Sequence, residues 1–138
     1  MWGWDLVRDT ATDAYAEAGI EPADADVAEL HDAFTIGEIA TVEALGLTAE
    51  GHAPAAVAAG QLSLGGSTPV NPSGGLLSRG HPLGATGVAQ AAELVWQLRG
   101  DAGQRQVDGA RIGLLETMGG GTAGIGGNGC VVAVFESG

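Results

Sequence analysis

Histidine is the side chain whose ordinary pKa puts its charge change near neutrality, so proton chemistry is sought first around the three histidines. The run Asn71-Pro72-Ser73-Gly74-Gly75-Leu76-Leu77-Ser78-Arg79-Gly80-His81-Pro82-Leu83-Gly84-Ala85-Thr86-Gly87 sets His81 between a glycine and a proline, just ahead of an expected helix. Glycines on both sides admit a close approach by backbone or substrate, and a helix start offers unpaired N–H groups with partial positive charge. An imidazole there suits proton transfer or stabilisation of a developing oxyanion. From residue types alone, a glycine-rich turn with an incidental histidine is an equal reading. His31-Asp32-Ala33-Phe34 is the second candidate, with His31 at a strand end as either a structural hydrogen-bonder or a reactive group, and Asp32 able to cap a helix. The third is the glycine-rich stretch from Glu116 to Asn128. It has no Lys and no phosphate-loop spacing, so a hairpin loop is its plain alternative. Cys130, inside an apolar run, reads as core, and His52 as solvated. No two histidines have metal-ligand spacing, so no metal is expected.

These groups need elements to hold them. Trp4, Val7, Ala11, Ala14, Tyr15 and Ala18 recur at helical spacing, and Gly19 stands where a C-terminal cap belongs. Glu21 to Asp24 reads as a turn and Asp26 to His31 as a short strand. Thr35-Ile36-Gly37-Glu38 matches a capping box, with a helix running on to Gly46. Residues 48–68 read as irregular, and Thr68 to Asn71 as a short strand. A further helix follows His81, with Val88, Ala92, Val95 and Leu98 inward and its end at Arg99-Gly100. Arg111 to Glu116 and Gly129 to Glu136 read as closing strands able to pair as a hairpin. The last is apolar enough to predict a central strand buried on both faces. His31 and Asp32 thus fall at a strand-to-helix junction, a usual place for functional groups in layered α/β folds.

Composition limits the function classes. The 138 residues predict one domain, 1–138. With 45% apolar and 16% charged residues, the chain is not of the disordered class, and no apolar run is long enough for a membrane span. Met1 to Asp5 has no basic region followed by an apolar stretch, so no signal peptide and a cytoplasmic location are expected. Five arginines, no lysine and a net charge of −12 disfavour nucleic acid as a partner. A single cysteine excludes an internal disulfide and a cysteine-based metal cage. The 25 glycines cluster in residues 65–87 and 119–129, marking tight turns and close approaches at two places.

Together these segments resemble the C-terminal half of a thiolase, in the sterol-carrier-protein-X or lipid-transfer-protein branch. Gly80-His81-Pro82-Leu83-Gly84-Ala85-Thr86-Gly87 is similar to that family's histidine motif. His31-Asp32-Ala33-Phe34 resembles the branch's His-Asp-Cys-Phe, which replaces the Asn-Glu-Ala-Phe of ordinary thiolases. Ala91 to Gly100 with Arg105-Gln106-Val107 extends the likeness over nearly the whole chain. The resemblance implies a layered α/β/α half, with a mixed sheet of about four to five strands and helices on its faces. It implies an acyl-CoA substrate, coenzyme A entering as part of that substrate and no covalently bound cofactor. By resemblance His81 activates a nucleophilic cysteine and helps bind the thioester oxyanion, and His31 completes that oxyanion site. Gly75, Gly80, Gly84, Gly119 and Gly120 are the expected substrate-contacting glycines. Arg79, Arg99 and Arg105 are the cations available to the CoA phosphates.

The departures shape the expected activity. The family's nucleophilic cysteine lies in an N-terminal half, expected here from a partner, so a homo- or hetero-oligomer is predicted. The family's second cysteine occupies one of two places, and these hold Ala33 and Thr117. One reading is an acyltransferase half, forming or cleaving a carbon–carbon bond next to a CoA thioester once paired. A second is an aldolase-type lyase subunit acting on a β-hydroxyacyl-CoA such as a steroid side chain, paired with an OB-fold partner; it needs an enolate-stabilising site but no acyl-cysteine. A third is a non-catalytic thiolase-like binding module or truncated product.

Overall fold

The computed structural model describes residues 3–120 and 128–138. Its frame is a sheet of three strands in the order β1 (Val27–Glu29), β2 (Ile112–Gly120), β3 (Asn128–Glu136). β1 runs parallel to β2, with Ala28 opposite Leu114, and β2 and β3 form the expected antiparallel hairpin from Ile112↔Glu136 to Gly120↔Asn128. The sheet is therefore mixed but smaller than the four to five strands anticipated. The stretch 68–71 meets β1 through a single bridge, Ala28↔Val70. Pro69 has no N–H for a ladder, and Asn71 turns away at φ 51°, so a strand cannot propagate there.

Helices cover both faces. α1 (Trp4–Ala18) and α2 (Thr35–Ala44) lie on one, α5 (Thr86–Arg99) on the other, and the short α3 (Ala53–Ala58) and α4 (Gly75–Arg79) sit in the connections. Side chains alternate along β2 accordingly. Leu114 joins the larger core with Val7, Ala11, Leu30, Val42 and Leu45, while Leu115 joins Val27 and Leu94 beneath α5. α1 ends as expected at Gly19, in the left-handed conformation with its N–H on the Tyr15 carbonyl. No described helix is long and apolar enough to cross a membrane.

Four local expectations are corrected. The Thr35–Glu38 capping box does not form: Phe34 is the extended cap residue, Thr35 is already helical, and no side chain caps the end. The stretch 48–68 is not wholly irregular, because Pro54 suits a helix start and the Glu43 carboxylate accepts the Ala53 N–H at 3.0 Å, which lets α3 form. β3 is not a central strand. Among the described residues it pairs only with β2, and its apolar run is shared between two half-covered faces, with Val131 exposed. The inward face of α5 is not the apolar one: Val88 is 71% exposed and Ala92, Val95 and Leu98 are only partly covered. Thr86, Gln90, Glu93, Leu94 and Gln97 are buried instead. The polar members find partners there: Gln90 donates to the Glu116 carbonyl at 3.0 Å, and Gln97 bonds the Arg105 carbonyl and the Val107 N–H. Glu93 pairs with Arg105 at 2.9 Å.

Candidate active site

The end of β1 and the residues just beyond it grip the segment that leads to His81. The buried Glu29 carboxyl accepts the Ser73 N–H at 3.0 Å and the Ser73 hydroxyl at 2.7 Å, with Arg79 at 3.6 Å. Burial nevertheless pushes Glu29 up to about 7, against the pull of Ser73 and Arg79. The Leu30 N–H donates to Asn71 Oδ1 at 2.7 Å, while the Asn71 N–H returns to the Ala28 carbonyl at 2.8 Å. Asp32 caps a helix, but it is α4: Oδ1 accepts the Leu76 N–H at 2.6 Å and Oδ2 the Leu77 N–H at 3.4 Å. Gly75 sits so close to this carboxylate that any side chain on it would run into Asp32. Three consecutive residues, Ala28 through Leu30, with Asp32 two positions further on, thereby lock 71–79 in place. Gly80 ends α4 at φ 82° and delivers His81 to the site.

His31 and His81 meet there. Their ring centroids are 4.7 Å apart and the planes stand at 88°, an edge-to-face pair. His81 Nδ1 lies 2.8 Å from the Thr86 hydroxyl oxygen, and that hydroxyl donates to the Pro82 carbonyl at 3.2 Å. In the tautomer that suits this arrangement, the hydroxyl accepts from His81 Nδ1–H and Nε2 carries the lone pair. Burial and the neighbouring His81 both lower the His31 pKa, Asp32 opposing them, which favours the neutral ring. The main-chain N–H of His31 donates to Glu116 Oε2 at 3.0 Å.

A cavity of about 250 Å³ opens beside the pair. Both rings line it, with Trp4, Phe34, Leu83 and Met118 supplying apolar wall, and Gly37 and Ala40 of α2 leaving room. Phe34 and Leu83 are 69% and 85% exposed, so the cavity has an apolar rim. Its lining is mainly apolar, and the two imidazoles face it.

The remaining expected positions fall as follows. Gly119 lines the cavity; Gly80 and Gly84 are exposed in the turns before and after His81 and are not among its lining. Gly75 is buried against Asp32. Gly120 closes β2 opposite Asn128, and the rest of the glycine-rich loop, 121–127, lies outside the described residues. Ala33 lines the cavity, whereas Thr117 is on the opposite face of β2 beside Gly87 of α5. Cys130 is half-buried against the larger core, and burial pushes its thiol up to about 11, so it stays protonated at neutral pH. His52 is exposed and bonds the Glu50 carbonyl through Nδ1. Among the described residues no group of three His, Cys, Asp or Glu could hold a metal ion.

The family model "Thiolase C-terminal domain-like" matches residues 2–125. The chain belongs to the thiolase family. Within this thiolase C-terminal domain, relatives of the sterol-carrier branch stand out. Sterol carrier protein 2 of Rattus norvegicus is 52% identical over 125 residues, 91% of this chain and 23% of that protein. An acetyl-CoA acetyltransferase of Methanothermobacter thermautotrophicus is 51% identical over 123 residues, 88% of this chain and 32% of that protein. Among solved structures, the Ltp2-ChsH2(DUF35) aldolase superposes with a TM-score of 0.73 at 28% identity, covering 93% of this chain and 30% of that one. The chain thus spans from 23% to 32% of the length of these relatives. Three polar side chains outside the motif roles also bond to the site: Thr86 to His81, Glu29 to Ser73 and Glu116 to the His31 N–H. Thr86 lay within the histidine motif without a role. The two acids had a signal, since each interrupts an otherwise apolar strand, beside Leu30 and Leu115.

Proposed function

We propose that this domain supplies the imidazole half of a thiolase-type centre that forms or cleaves a carbon–carbon bond next to a CoA thioester. The observation that carries the reading is the edge-to-face contact of His31 and His81, at 4.7 Å, on the wall of an apolar-rimmed cavity. His81, with Nδ1 engaged by Thr86, takes a proton at Nε2 from the attacking thiol; the resulting imidazolium and the neutral His31 then donate toward the thioester oxygen as negative charge gathers on it. The thiol is not on this domain in the proposal. Cys130 is a protonated residue packed against the core, so the nucleophile comes from a thiolase N-terminal half, whose docking would cover the exposed Phe34 and Leu83. Coenzyme A enters as part of the substrate; Arg79 and Arg105 face Glu29 and Glu93, while Arg99 is exposed at the end of α5.

A second reading is favoured by the likeness to the Ltp2-ChsH2(DUF35) aldolase and by Ala33 in the cavity wall. A retro-aldol cleavage of a β-hydroxyacyl-CoA needs the same enolate stabilisation without an acyl-cysteine, and an OB-fold partner would complete it. Tyr15 is not its acid or base: the hydroxyl donates to the Leu45 carbonyl at 2.9 Å inside the core. The deciding experiment combines the chain with a thiolase N-terminal half or with a DUF35-type partner, and follows acyl-CoA condensation and cleavage. His81→Ala is expected to lower turnover by about 10²–10⁴ with the fold intact, as for loss of a general base. Turnover independent of His81 removes it from the mechanism; no turnover with either partner leaves a binding module.

A further inference from the structure

Glu116 is a buried carboxyl that, among the described residues, has no cation beside it. It is fully shielded from solvent on β2. A carboxyl held inside a protein without a counter-charge is costly, and such groups concentrate where a site uses them. Its two oxygens are engaged differently. Oε2 accepts the His31 N–H at 3.0 Å; Oε1 lies 3.8 Å from Cys130 Sγ, a weak donor. Its main-chain carbonyl is tied to Gln90 of α5 at 3.0 Å. Glu116 thus joins the centre of the sheet to the residue whose ring meets His81.

We propose that Glu116 is a positioning residue for the imidazole pair: its carboxyl pins the His31 main chain to β2, and its protonation state sets how firmly. Ionised, the group accepts at both oxygens, and a charge-assisted N–H···O⁻ bond is about twice as strong as a neutral one. Protonated, it offers His31 only a neutral acceptor, while its hydrogen finds nothing better than the thiol sulfur. The groups facing it are the His31 amide beyond β1 and the Cys130 thiol of β3. α1 brings the Thr10 hydroxyl to that same thiol, and α5 brings the uncharged Gln90 amide. Of these the thiol ionises only near 11, and Asp32 acts on Glu38 and the His31 ring rather than on Glu116. Burial pushes Glu116 up to about 7, so its proton exchanges in the range where imidazoles work.

The role of the pair in catalysis rests on the proposed function, but the pinning is measured without substrate, so either can fail alone. The test is NMR of the whole chain from about pH 5 to about pH 9, spanning the carboxyl and imidazole titrations. In the wild type the His31 amide proton and the Glu116 carboxyl carbon are expected to shift together, with one midpoint near 7. In Glu116→Gln, which keeps an acceptor for the amide, that shared step disappears. In Glu116→Leu the ring-to-ring contacts of His31 and His81 are lost as well. A His31 amide that follows only its own ring protons, or a Glu116→Gln titration matching the wild type, overturns the proposal. If Glu116→Leu does not fold, the first two proteins still decide.

Discussion

Asp32 and Gly75 meet where β1 hands the chain to the histidine segment, and replacing both gives a quantitative test of how the site is held. Asp32→Ala removes the acceptor for the Leu76 N–H, 2.6 Å away and buried, and for the Leu77 N–H at 3.4 Å. Loss of a helix cap that leaves a buried donor unpaired costs about 1–2 kcal/mol. Gly75→Ala forces a side chain into φ 61° and into the carboxylate. The left-handed conformation costs roughly 1–2 kcal/mol. Displacing Asp32 forfeits the cap, roughly another 1–2 kcal/mol. The singles therefore cost about 1–2 and about 2–4 kcal/mol; the double costs about 2–4 rather than about 3–6, because the cap is lost only once. The coupling, about 1–2 kcal/mol, stands well above the ~0.3–0.5 kcal/mol scatter of independent sites. Urea unfolding of the four proteins, followed by tryptophan fluorescence, measures it, since a domain of this size holds ~5–15 kcal/mol. Strict additivity would show that Asp32 and Gly75 do not share the junction, and the account of how His81 is positioned would fall with it.

Other predictions concern the ring, the buried acid and the thiol. Thr86→Val leaves His81 Nδ1 without its partner; a neutral hydrogen bond of about 1 kcal/mol translates into a loss of roughly 5-fold in turnover of an assembled complex. Retained turnover would mean the ring is oriented by something else. Glu29 holds its proton more tightly folded than unfolded, with its folded value near 7. Its contribution to stability is therefore complete below the unfolded carboxyl range and is lost as pH rises through about 7. Glu29→Gln should flatten that decline in urea midpoints between about pH 4 and about pH 8, and an unchanged slope would reject the assignment. Cys130 should react slowly with iodoacetamide at about pH 8 when native and fast in urea; equal rates would contradict a protonated thiol against the core.

Much of the frame was readable from local pattern. The α1 periodicity ends at Gly19 as the cap requires, and the final hairpin follows from two apolar runs either side of a glycine-rich sequence. The His31–His81 pair was legible only through motif resemblance, because nothing local says that two distant turns converge. Periodicity misplaces the inward face of α5 because it weighs apolar residues, while Gln90 and Gln97 are buried by bonds to Glu116, Arg105 and Val107 outside the helix. The place of β3 in the sheet is not legible, because an apolar run looks the same in a central strand and in an edge strand covered halfway on each side. The capping box failed for want of one residue of register: the chain turns helical at Thr35 instead of after it.

The amide-lined face of α5 has a mechanical meaning. Oily surfaces let a helix rotate or slide a little at small cost, since one methyl serves nearly as well as another. Directional bonds do not, because a fraction of an ångström or a modest rotation spoils them. With Gln90 and Gln97 latched at two successive levels, the helix behaves as a keyed shaft with one permitted angle and one permitted depth. Thr86 sits at its tip, and so the ring it touches inherits that setting from bolts placed well away from the chemistry.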